Sequence, residues 1–72
     1  MSKIGELVRR ARLGKDMTQA ELAERLDMSE ARIDAFERGD ETPSPDTLGD
    51  IEDALGLSPG QIAREAGVVE GP

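Results

Sequence analysis

Residues 18–39 read TQAELAERLDMSEARIDAFERG, and the way this stretch divides decides the fold. Thr18, Gln19, Ala20 and Glu21 match a capping box, in which a threonine oxygen takes an orphan amide and a glutamate three residues on reaches back. Leu22, Ala23 and Leu26 supply the inward face of the helix that follows. Asp27 and Met28 interrupt it, Ser29 is placed as a second cap, and Ile33 and Phe36 mark the buried side of the next helix, which Gly39 ends. Two short helices are therefore joined by a break of only two or three residues.

Upstream, Ile4, Leu7, Val8 and Ala11 recur with helical spacing, so a first helix is predicted from about residue 3 to 13, capped by Ser2 and broken around Gly14. Downstream, Asp40 to Ser44 reads as a loop. Ser44 caps and Pro45 opens a fourth helix with Leu48, Ile51 and Leu55 inward, closed by Gly56. Ser58, Pro59, Gly60 and Gln61 form another capping-box pattern, predicting a short fifth helix with Pro59 at its first position and Ile62, Ala63 and Ala66 inward. No strand alternation persists, and the fold class is all-α. Residues 1–66 are expected to form one domain, and 67–72 a flexible C-terminal tail.

The 72-residue chain contains no cysteine, histidine, tryptophan or tyrosine, and its one aromatic residue is Phe36. Disulfides, thiolate and imidazole metal sites and the usual general base are thereby excluded, as is an aromatic platform for single strands. The acids form no calcium-loop pattern, no glycine-rich phosphate loop precedes a helix, and serines without a base are not nucleophiles. No catalytic residues, metal or cofactor are expected. No apolar run has the length of a membrane span and no signal-peptide core is present, so the cytoplasm is the expected compartment.

The net charge is −7, unevenly spread. Lys3, Arg9, Arg10, Arg12 and Lys15 face only Glu6 in the first fifteen residues, a balance of +4, while residues 16–72 balance at −11. The second and third helices, with their short break, suit a sharp helix-turn-helix crossing, in which one helix lies across a DNA backbone and the next presents its N-terminal residues to the major groove.

At this point the chain resembles the phage-repressor and Cro-like helix-turn-helix family, also called the xenobiotic-response-element regulators. The resemblance rests on Ile4 to Arg12, Thr18 to Leu26, Ser29 to Gly39 with its Phe-Glu-Arg-Gly ending, Pro43 to Pro45, Leu48, and Ala54 to Leu57, and it covers residues 3 to about 66. It implies a compact five-helix lambda-repressor-like domain that binds double-stranded DNA as a transcriptional regulator, a repressor and homodimer reading a two-fold operator. It also implies that Gln19 bonds a phosphate, that Ser29, Glu30, Ala31, Arg32 and Ala35 read bases, and that Arg12 and Glu37 pair to join the first helix to the third. Helix five with Val68 and Val69 is the expected dimer contact.

The chain departs from the family pattern where glycine is usual, at Asp16 and Asp27, both residues that tolerate a left-handed backbone. Another departure concerns the loop after the third helix, where the family commonly carries a base and this chain has Asp40 and Glu41. Such a loop repels phosphate, so the backbone grip falls to Arg9, Arg10 or Lys15 and to the amides around Thr18 and Gln19. Arg32 suits guanine O6 and N7, and Glu30 suits cytosine N4, which together point to a G·C-containing half-site. Plainer readings stand beside these: Glu30 and Asp34 as solvated acids, Arg32 paired with a neighbouring acid, Arg9 and Arg10 as a polar helix face. The alternative function is a protein-binding helix-turn-helix module, an antitoxin, anti-repressor or docking domain, whose acidic third helix and loop meet a basic partner.

Overall fold

Local hydrogen bonds set four of the five helix starts at the residues the sequence nominates. The computed structural model describes residues 2–67. Helix α1 spans Lys3–Gly14, and the Ser2 hydroxyl oxygen accepts the Gly5 N–H at 3.0 Å. Helix α2, Gln19–Leu26, begins with both halves of the capping box: Glu21 N–H donates to Thr18 Oγ1 at 3.0 Å, and Thr18 N–H donates to Glu21 Oε1 at 2.9 Å. Helix α3, Glu30–Arg38, is capped by Ser29, and helix α4, Pro45–Ala54, by Ser44 with proline in its first turn. Asp16 and Asp27 take left-handed backbones, at φ 53° and 55°, and Gly39 closes α3 at φ 83°. No strand is formed among the described residues.

Helix α5 begins later than the capping-box reading predicts. It spans Gln61–Glu65, so Pro59 lies in the preceding turn, and the Ser58 hydroxyl caps nothing. Only half the box forms, with the Gln61 side chain accepting the Ser58 N–H at 3.1 Å. The missing half comes from elsewhere. Gly60 at φ 78° turns the chain so that its own N–H and that of Ile62 meet the buried carboxylate of Glu52, at 2.9 and 2.8 Å. A carboxylate suits a helix N-terminus, where orphan amides and the dipole both favour negative charge.

Phe36, Leu22, Ile33, Ile51, Leu55, Ile62 and Val8 are the large side chains fully removed from water. They come from all five helices, which is how a chain this small obtains a single core. Helix α3 lies against α1 and α2, while α4 contacts α2 and α5, and α5 returns to α1. The α1 face is rotated from the predicted stripe: Gly5, Val8 and Arg12 are its buried line, and Ile4, Leu7 and Ala11 pack at the margin. The reason is a close crossing. A Cβ placed on Gly5 would stand 2.5 Å from the carbonyl oxygens of both Phe36 and Glu37, so α3 can approach α1 only where α1 has no side chain. The expected tail and the Val68–Val69 contact lie outside the described residues, 67 apart.

Candidate nucleic-acid interface

Two anchors fix the position of α3. From α1, Arg12 Nε and Nη2 donate to the two carboxylate oxygens of Glu37 at 2.7 and 3.1 Å, and Arg12 Nη1 donates to the Met17 carbonyl at 2.7 Å. Glu37 is 2% exposed and Arg12 7%, so the pair is inside the protein. Hydrogen bonding to Glu37 raises the Arg12 pKa above its ordinary value, with burial opposing. From α2, the Gln19 side-chain amide donates to Asp34 Oδ1 at 3.2 Å and Glu37 Oε1 at 3.1 Å. One carboxylate thus ties three helices together.

With Ile33, Phe36 and Glu37 turned inward, helical geometry turns Glu30, Ala31 and Arg32 outward, and all three are exposed. Ala35 is half-buried. Ser29 Oγ accepts the Arg32 backbone N–H at 3.2 Å, which leaves the hydroxyl hydrogen free to donate. Glu30 makes no ion pair among the described residues. Arg32 is engaged on two sides: its Nε lies 3.4 Å from Glu41 Oε1, and its guanidinium carbon lies 5.4 Å from the centre of the Phe36 ring.

The candidate phosphate residues do not share one place. Arg9 lines a polar hollow of about 260 Å³ with Arg12, Gln19, Asp34, Glu37 and Arg38, at the start of α2. Arg10 lines a different groove, with Leu57, Gln61 and Glu65 on the α5 side, and pairs loosely with Glu6 at 3.7 Å. Lys15 reaches Gly56, beyond the end of α4, where its Nζ would lie 3.5 Å from an added Cβ. Thr18 has spent its hydroxyl oxygen and its amide on Glu21, so the anion-attracting groups at this end are the next amides, of Gln19 and Ala20, which have no carbonyl partner within the helix. The Thr18 amide, then its hydroxyl, also lowers the Glu21 pKa, keeping that acid charged.

Sequence reasoning gave Asp34 no role, yet it accepts from Gln19 and pairs with Arg38 Nη1 at 3.4 Å. Its four-residue spacing from Arg38 was visible in the sequence; the approach of Gln19, fifteen residues away, was not. Arg38 also reaches Asp40 at 3.0 Å.

Residues 8–68 match a family model described as Helix-turn-helix. No curated protein and no solved structure matches the chain.

Proposed function

We propose that this chain, which belongs to the helix-turn-helix family of Cro and C1 type, is a sequence-specific regulator that reads the major groove with α3 and acts as a repressor in the form of a homodimer. Membership makes it a DNA-binding transcription regulator. The observation that supports the finer reading is the division of α3 into a face pinned by Glu37 and Phe36 and an outward N-terminal face of Glu30, Ala31 and Arg32. In this reading Arg32 donates to guanine, Glu30 accepts from cytosine, and Ser29 and Ala35 border the contact. Arg9, together with the first amides of α2, takes a phosphate, with Arg10 and Lys15 more distant contributors. Two-fold pairing would place two such helices one helical turn apart on the duplex.

Glu30, exposed and without a cation among the described residues, also supports the second reading, in which α3 and the Asp40–Glu41 loop meet a basic protein. Selection of bound duplexes from a random library at about 50 mM salt separates the two, because few phosphate contacts still register there. Enrichment of an inverted repeat containing G·C pairs establishes the first reading. A folded protein that enriches nothing overturns it in favour of the second.

A further inference from the structure

Two side-chain donors near the proposed DNA contact, Gln19 and Arg32, are held by the protein's own carboxylates. Gln19 gives both amide hydrogens to Asp34 and Glu37, Arg38 lies between Asp34 and Asp40, and Arg32 Nε faces Glu41. The pairing at Arg32 is built by the backbone. Gly39 turns left-handed, and the amides of Asp40 and Glu41 both donate to the Ala35 carbonyl, at 3.0 and 3.3 Å, which lays the loop back along α3. Glu41, nine residues on, is thereby brought to Arg32, whose guanidinium also stands over the Phe36 ring.

We propose that Glu41 and Asp34 are positioning residues that occupy the reading face in the free protein, so that DNA binding is an exchange of protein carboxylates for nucleic-acid acceptors. The proposal rests on the DNA reading. An ordinary cationic face releases condensed cations from the duplex when it binds, and affinity falls steeply with salt. Here Arg32, on turning to DNA, also frees Glu41, which attracts a cation from solution and offsets part of that release. Affinity is lower and the salt dependence shallower than the number of contacts alone would give.

The test is titration of a short mixed-sequence duplex, from about 50 to about 200 mM salt, with the wild type, Glu41→Gln, Asp34→Asn and the double variant, each checked for helical circular dichroism. Asp50→Asn is the control, removing one charge from α4 beside Arg25. Glu41→Gln and Asp34→Asn are each expected to bind about three- to fivefold more tightly at low salt, the range an exposed pair can contribute. Their log-log salt slopes should steepen by up to about one unit, with Asp50→Asn moving less than about twofold. Glu41→Gln and Asp34→Asn binding no better than Asp50→Asn would overturn the exchange and leave the DNA reading standing. If no folded variant, including the double, binds at the lowest salt, both fail together.

Discussion

Arg12 and Glu37, twenty-five residues apart in sequence, meet through two hydrogen bonds with both side chains less than a tenth exposed. The pair joins the basic first helix to the helix that faces outward, and Glu37 passes the connection on to Gln19. Removing one partner of such a pair strands the other charge in the interior, which costs about 3–5 kcal/mol. A domain of this size has roughly 4–11 kcal/mol in all. Glu37→Ala is therefore expected to remove from about a third to all of that stability, read by urea titration. Arg12→Met combined with Glu37→Leu should cost well under the sum of the single changes. Because the Arg12 pKa is raised, the contribution of its charge is present at every pH below the ordinary arginine value and is lost only above it. Raising the pH to about 10 should leave this contribution intact.

The crossing of α1 over α3 gives a paired prediction for glycines. At Gly5 an added Cβ meets backbone oxygens at 2.5 Å, and backbone cannot step aside as a side-chain tip can. Gly5→Ala is expected to cost about 2–3 kcal/mol, as overpacking does. Gly49, exposed in the middle of α4, has nothing within 4 Å of the same added atom. Gly49→Ala should stabilise by about 0.5–1 kcal/mol through helix propensity alone. Thermal unfolding should show the midpoints moving in opposite directions; a fall for both would mean that α4 is not helical at that position.

Glu52 is expected to govern α5 alone. Its two hydrogen bonds to the amides of Gly60 and Ile62 form the start of that helix. Glu52→Ala should cost about 2–4 kcal/mol, in the range for charged hydrogen bonds left unmade. Glu52→Gln should recover part of this, since an amide offers one acceptor where two are needed. Hydrogen exchange should speed up first at Ile62 and Ala63. Uniform acceleration across α1 to α4 would contradict a local role.

What the sequence disclosed and what it withheld divide by distance. Ser2, Thr18 with Glu21, Ser29 and Ser44 were legible because a cap is three residues from the amide it satisfies, and Asp16 and Asp27 because a positive φ is a local demand. Glu52 was missed although it carried a signal: it occupies the third place of a buried stripe, Leu48, Ile51, Glu52 and Leu55, where an acid must have a partner. What that partner is depends on how α5 docks. The tightness at Gly5 and the meeting of Gln19 with Asp34 likewise arise from helices packed across the domain, which periodicity within one helix cannot express.

The capping box gives the pH prediction. The lowered pKa of Glu21 arises first from the Thr18 N–H, a bond available only when α2 is folded. A carboxylate with a depressed folded value adds stability above its unfolded pKa and loses it as pH falls through the folded value. Glu21→Gln keeps the geometry and drops the charge. The wild type should exceed it in urea stability above about pH 6, and the gap should close as pH falls below the ordinary glutamate value of about 4.3. A gap that stays constant down to pH values of about 3 would mean that the charge contributes nothing at this cap.

Arg9 and Arg10 are adjacent in sequence but look toward different parts of the surface, Arg9 beside Gln19 and Arg10 along α5. If α2 rests its N-terminus on the DNA backbone, only Arg9 is near the phosphate that the Gln19 and Ala20 amides would take. Arg9→Ala is expected to weaken all duplexes alike and to flatten the log-log salt slope by about one unit. Arg10→Ala should change the slope by much less, because its nearest charges are Glu6 and the α5 face. Arg32→Ala should behave differently from both, lowering the preference for G·C-containing sites by roughly 1–3 kcal/mol while leaving the salt slope nearly unchanged. Binding curves at two salt concentrations on a selected and a scrambled duplex give all three comparisons. If Arg10 rather than Arg9 carries the salt dependence, the DNA lies across the α1–α5 side of the domain, and α3 is not the reading helix.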